Sequence, residues 1–327
     1  MTPQPGIFAV GAPEHCYLEL DGAPGSDPAD LVGALAGLLG PASGIAGACV
    51  TVGLRPELWR AVAPAAAPPD AASFEHIAGP EITIPAAQHD AWVWIAGGSR
   101  SGVFDVAVSV SRSLRPRFGV AHEIGGWVYR TERDLTGFID GTENPAPVEA
   151  PEAAIRTESP GEGSSVLLFQ QWRHLDTFAE LPVAEQERVI GRTKADSVEL
   201  GEDVMPPDSH VSRTVIEEEG EELAIYRRNT SYGGPSDHGT VFVGFCARRH
   251  PLERMLRRMA GAEDGVRDAL TRYTVPLTGA YYVVPALDAL ADVVDQPDDD
   301  RARRSRTART PHATHPTGSG SQKLRAR

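Results

Sequence analysis

The stretch TGFIDGTENP, residues 136–145, falls near the middle of a 327-residue chain. Two apolar residues, Phe138 and Ile139, stand just before an acid, Asp140. Gly137 and Gly141 bracket the group and Pro145 closes it. An Asp-Gly pair is a tight-turn signal. Asp140 is therefore either a turn former or a carboxylate held where chemistry needs one.

Outward from this stretch, the two flanks carry the same order of elements. On the N-terminal side, 15–22 reads as a strand. Asp27-Pro28 then gives an N-cap with proline at the first helical position, and Leu31, Leu35, Leu38 and Leu39 share one face of a helix over 28–39. Residues 45–53 read as a strand, 61–72 as a proline- and alanine-rich excursion over the surface, 91–98 as a buried strand, 100–114 as a helix and 122–130 as a strand. On the C-terminal side, strands are expected at 164–175, 222–229, 239–248 and 280–287, with helices at 183–192 and 252–260. Each half reads β-α-β-β-α-β, the ferredoxin-like unit. The expectation is an α+β chain of two ferredoxin-like domains, 1–145 and 146–295. Asp140 lies in their join, and ligand sites favour domain interfaces.

From Gln296 the composition changes. An acidic run is followed by eight Arg or Lys residues with almost nothing apolar, so 296–327 reads as a disordered basic tail. It is either a solubilising remnant or a docking peptide. The formal net charge of the whole chain is -14, which argues against nucleic acid or an anionic membrane as partner. Cys16, Cys49 and Cys246 are far apart and odd in number, without CxxC or CxxCH. That points to reduced core thiols rather than a zinc ribbon or covalent haem. The N-terminus has no basic region, export run or twin arginine, and no apolar stretch reaches a membrane span, so a soluble cytoplasmic protein is expected.

Two further places carry candidate chemistry. His210 sits in VMPPDSHVSRTV, 204–215, a polar segment before a strand. HExxH is absent and no two histidines share helical zinc spacing, which disfavours a zinc hydrolase. One histidine suffices to ligate haem iron, because the porphyrin fills four positions itself. In IYRRN, 225–229, strand alternation puts Arg227 and Asn229 on one face and Arg228 on the other. If that face is buried, Arg227 needs a charge partner or an anionic ligand. The alternative is an exposed edge strand with solvated arginines.

Together these residues resemble a known family. GFIDGTENP looks like the GxxDG signature of dye-decolourising (DyP-type) peroxidases. IGRTKADSVEL (190–200), SHVSR (209–213), IYRRN (225–229) and TRYTVPLTGAYYVVP (271–285) follow in the family's order, closest to the compact bacterial P-type or class B branch. The resemblance implies haem b, one per chain, held between the sheet and helices of the C-terminal half. It implies His210 as axial iron ligand and Asp140, Arg227 and Asn229 on the peroxide side. Arg192 and Lys194 would pair with haem propionates, Gly141 and Thr142 would approach the cofactor, and Asp268 in GVRDALTRY would hold the His210 ring.

The implied activity is oxidation of dyes, phenols or other small donors by hydrogen peroxide through a ferryl intermediate, with Asp140 as base. An ordinary Asp titrates near 4, and Arg227 beside it would keep it there despite burial. That places the optimum at roughly pH 4–6. Two other readings stay open: a haem-handling protein that stores or carries haem or releases its iron, and a chain that binds no haem. Trp127, Tyr129, Trp172 and Tyr232 are aromatic candidates for electron relay or for packing. Relatives form homo-oligomers, and some dock inside encapsulin shells through C-terminal peptides. The tail resembles such a peptide loosely, with Leu324 its lone apolar anchor.

Overall fold

The computed structural model describes residues 1–39, 47–130 and 133–295. The tail expectations and Leu324 lie outside the described residues. Residues 1–295 pack as one compact unit.

The first half supplies β1 (Glu14–Gly22), α1 (Pro28–Ala36), β2 (Ala48–Leu54), α2 (Pro56–Val62), β3 (Ala91–Gly97), α3 (Arg100–Leu114) and β4 (Phe118–Trp127). The second supplies β5 (Ser165–His174), α4 (Val183–Ile190), α5 (His210–Thr214), β6 (Tyr226–Arg227), β7 (Thr230–Gly233), β8 (His238–Cys246) and α6 (Arg249–Met259). Strands β9 (Thr274–Pro276) and β10 (Ala280–Val284) and helix α7 (Leu287–Val294) complete it.

The local signals act where the sequence places them. Asp27 caps α1 by accepting from Ala29 N at 3.0 Å, with Pro28 behind it. Ser99 caps α3 and accepts from Gly102 N. Helix α4 stops at Gly191, whose φ of 95° is the left-handed conformation that ends helices and that glycine adopts without steric cost. None of the described helices is long and apolar enough to cross a membrane.

The strands pair antiparallel into one sheet that closes on itself. Going round, the order is β8-β7-β4-β1-β3-β2-β10-β5, and β5 pairs again with β8. Strand β6 pairs with β8 above β7, and β9 pairs with β5. Strands such as β3 and β5 are covered on both faces and read as nearly unbroken buried runs, whereas β4 is largely exposed. Inside the ring lie Tyr17, Trp92, Trp94, Phe169, Phe245 and Tyr282. The alternate residues, such as Leu18, Val93, Leu168 and Cys246, point outward into a second core beneath the helices. Trp92 and Trp94 are buried and tilted against one another with centroids 6.0 Å apart. Rings of this size dominate core energetics, at several kcal/mol each for truncation to Ala.

Several expectations need correction. The 61–72 connection is only in part a surface excursion: Pro64, Ala65 and Pro69 are exposed. Ala67 and Ala71 are buried, and the Trp59 indole donates to Ala66 O at 3.0 Å, because small residues can pack tightly under a tryptophan. The strand expected over 222–229 is broken up: Glu222 ends a separate two-residue strand, Glu221–Glu222, and only Tyr226–Arg227 joins the large sheet. Asn229 breaks the ladder by using its own side-chain Oδ1 to accept from Val243 N at 3.2 Å. Helices α2, α5 and α7 were not expected.

Candidate active site

A cavity opens between the outward face of the second-half strands and helices α5 and α6. It holds about 1180 Å³ of empty space, its solvent-open mouth included. The sheet wall carries Arg227, Asn229, Gln170, Trp172, Thr240 and Phe242. The helix wall carries His210, Val211, Thr214, Met255, Leu256 and Met259. The loop of residues 134–143 closes one side.

His210 opens α5 directly after its cap, Ser209, whose hydroxyl accepts from Ser212 N. Its Nδ1 lies 2.7 Å from Asp268 Oδ2. Asp268 is completely buried, and its other oxygen accepts from Leu270 N at 2.8 Å. A carboxylate can only accept, so Nδ1 is the donor in this bond, and the neutral tautomer that fits it has its lone pair on Nε2. That is the arrangement in which histidine ligates a metal.

On the sheet wall, Arg227 and Asn229 face the cavity while Arg228 faces the ring interior. There Arg228 donates to Ile7 O at 2.7 Å and Ala9 O at 2.6 Å and stacks over Trp94. The alternation is as expected, and the solvated-arginine alternative does not hold. Asn229 Nδ2 donates to Asp140 Oδ1 at 3.3 Å.

Asp140 is reached through a loop fixed at both ends. Phe138 is buried beside Phe178 and Ile190. Ile139 lines the cavity rather than anchoring the loop in the core. At Gly141 φ is 78°, and a Cβ there would come within 3.2 Å of the Asn144 amide, so glycine serves both the turn and the close approach. Asn144, which sequence reasoning missed, uses its amide as a substitute strand. It donates to Arg227 O at 2.9 Å and accepts from Arg227 N at 2.8 Å.

The electrostatics differ from expectation. Burial pushes the Asp140 carboxyl up to about 6, and the Asp134 carboxylate on the same cavity wall adds to the rise. The Asn229 bond and the Arg227 charge offset only part of it. Asp134 is itself raised by burial, although it accepts from Thr136 N at 2.8 Å. Burial also lowers Arg227, against the pull of Asp140, Glu143 and Glu222.

Arg192 lines the cavity. Its Nη1 donates to Ser197 O at 2.8 Å, and its Nη2 meets Glu199 at 2.8 Å and also Glu143. Gly141 and Thr142 line the cavity as well. Lys194 is not brought there. Its Nζ donates to Gln186 Oε1 at 2.5 Å and lies over the outer face of the Phe138 ring, in a neighbouring groove with Arg133. Asp134, Glu143, Gln170 and Ser197 are cavity residues that the sequence did not flag. For Asp134, Glu143 and Ser197 the only signal was the polar turns flanking the motifs, and Gln170 had none, because its strand is buried on both faces.

Residues 131–289 match the sequence model of the Dyp-type peroxidase C-terminal domain. The dye-decolorizing peroxidase of Mycolicibacterium paratuberculosis is 35% identical over 243 residues, 72% of this chain and 69% of that protein. That of Rhodococcus erythropolis is 34% identical, covering 79% of this chain and 76% of the relative. Among solved structures, the dye-decolorizing protein from V. cholerae superposes with a TM-score of 0.81 at 31% identity, over 88% of this chain and 99% of that one. A variant of Rhodococcus jostii RHA1 DypB in complex with heme gives 0.82 at 29% identity, over 89% and 99%. With the GxxDG loop, the histidine segment and the arginine strand assembled around one cavity, the chain belongs to the dye-decolourising peroxidase family.

Proposed function

We propose that this chain is a haem b peroxidase that uses hydrogen peroxide to oxidise dyes, phenols or other small electron donors. The observation that carries the reading is one cavity with a carboxylate-held histidine on its helix wall and an acid, a buried arginine and an amide on its sheet and loop walls. The cavity suits a flat apolar ring that bears carboxylates. Met255, Leu256, Met259, Phe242 and Val211 give it apolar walls. Two buried donors within it, Arg192 Nε and Gln170 Nε2, have no hydrogen-bond partner. A buried unpaired donor is costly, and an acceptor on a bound ligand removes the cost.

In this reading His210 Nε2 holds the iron and Asp268 fixes the ring. Bound haem would supply the redox centre that accepts oxidising equivalents from peroxide and passes them to a donor. Asp140, when ionised, takes the proton from one peroxide oxygen and returns it to the other, so that water can leave. Arg227 stabilises the negative charge that develops on the departing oxygen. Asn229 keeps the Asp140 carboxylate turned toward the cavity.

The reading also keeps two ferredoxin-like domains, 1–145 and 146–295. Its support is that the first-half strands run β4-β1-β3-β2 and the second-half strands β10-β5-β8-β7. In each half the strand order by position is 4-1-3-2.

The test is haemin titration followed at the Soret band, then addition of peroxide and a phenol. Saturable binding at one haem per chain is expected, with the shift lost in His210→Ala. An unchanged shift in that variant would refute His210 as ligand.

A further inference from the structure

Ser197 combines two features that a glycine at the same turn position would not show. Its φ is 59°, the left-handed region that side-chain-bearing residues rarely adopt. Its hydroxyl is buried on the cavity wall and has no hydrogen-bond partner. Each feature costs stability, and strain of this kind persists only where the surroundings enforce it. The turn itself is held by other groups. Ser197 N donates to Thr193 O at 3.0 Å, Thr193 N to Val198 O at 2.8 Å, and Val198 N to Thr193 Oγ1 at 2.9 Å. A glycine at 197 would satisfy the same backbone without strain.

The neighbour explains what the hydroxyl is for. Arg192 Nη1 grips the Ser197 carbonyl, so both side chains belong to one corner of the cavity. Nη2 is occupied by Glu143 and Glu199. Arg192 Nε remains open, as does Ser197 Oγ. Two unpartnered donors at one corner, one of them cationic, match a single carboxylate that can accept from both.

We propose that Ser197 is a cofactor-binding residue whose hydroxyl, together with Arg192 Nε, donates to one propionate of haem. This rests on the haem reading above and adds a residue and a contact to it. The strained backbone is what turns the hydroxyl inward. The apo protein carries the cost and the bound carboxylate relieves it.

The test uses the full-length chain loaded with haem or, in parallel, with haem dimethyl ester, which lacks the carboxylates. Loss of the group to excess apomyoglobin is timed for wild type, Ser197→Gly and Ser197→Ala. A hydrogen bond to a charged acceptor corresponds to roughly tenfold or more in dissociation, so both variants should lose haem at least that much faster. With the dimethyl ester, wild type and variants should agree within about twofold. Haem-free Ser197→Gly should melt at or above wild type, because glycine relaxes the left-handed backbone, whereas a merely structural serine would give a lower melting temperature. Loss of haem from Ser197→Gly within about twofold of wild type would overturn the proposal, and so would equal acceleration with the ester. If wild type takes up no haem at all, the haem reading falls first and this contact with it.

Discussion

Replacing Asp140 by Asn should stabilise the haem-free protein while removing its peroxide chemistry. An Asp carboxyl ordinarily titrates at 3.8, and in this fold Asp140 stands at about 6. At about 1.4 kcal/mol per pH unit the gap corresponds to roughly 3 kcal/mol. Asp140 keeps partial exposure to the cavity, so solvent screening reduces this to about 2 kcal/mol. The sign follows from which state binds the proton. Well below pH 3.8 the carboxyl is neutral in both folded and unfolded chains, and even at pH 3.5 wild type and Asp140→Asn should unfold nearly alike. Between about 4 and 6 the unfolded chain ionises first, so wild type loses stability as pH rises, and above 6 the full penalty is in force. Denaturant unfolding at pH 3.5, 5, 6 and 8 measures this directly. The variant's advantage should be nearly absent at the lowest pH and reach about 2 kcal/mol at the highest. A variant no more stable than wild type at pH 8 would refute the reasoning, and so would an advantage that persists unchanged at pH 3.5.

The same carboxyl predicts that the peroxide step in the loaded enzyme rises as pH passes through about 6. Stopped-flow rates across pH 4–8 should show this limb in wild type and a flat, much slower profile in Asp140→Asn; an unchanged limb in the variant assigns it to another group. Asn144→Ala leaves the N–H and C=O of Arg227 without partners. It should cost about 2 kcal/mol in unfolding and slow the peroxide step more than haem retention; equal loss in both would mean the amide only supports the fold. Asp268→Asn should weaken haem binding by roughly 10- to 100-fold, read by haem transfer to apomyoglobin, because His210 loses a charged acceptor; retention equal to wild type counts against the pair.

Most of the predicted residues that line the cavity were legible because each sits in a short run with its own local signal. Asp140 has its glycines, His210 its polar segment, read as preceding a strand although it opens a helix, and Arg227 and Asn229 their alternation. Asp268 has no such local signal and is implied by the resemblance alone, yet its 2.7 Å contact with His210 is among the shortest at the site. What the sequence hid is long-range. Pairing of β5 with β8 and of β7 with β4 closes the ring, and no local pattern announces which strands meet. Gln170 lies on a strand buried on both faces, where alternation no longer separates inside from outside. Lys194 fell outside the cavity because the turn after Arg192 carries it to the far side of Phe138. The pH expectation weighed Arg227 against burial but not Asp134. That residue lies six positions before Asp140, and the Gly137 turn brings it back to the same wall.

These contacts tie the acid to the arginine mechanically as well as electrically. The loop that bears Asp140 is held at three points. Arg133 donates to the carbonyls of Gly137, Lys194 and Ala195; Phe138 is buried beside Phe178; and Asn144 pairs with the backbone of Arg227. The third point matters most for the proposed chemistry, since it joins the loop to Arg227, the residue proposed to stabilise charge. Asn229, two residues along, completes the connection by bonding Asp140 with one end of its amide and Val243 N with the other. Movement of the loop therefore carries Asp140 and Arg227 together, and their separation is set by side-chain amides rather than by a regular strand. The interruption of the strand after Arg227 is thus what frees the Asn229 side chain to replace a backbone bond and still reach the acid.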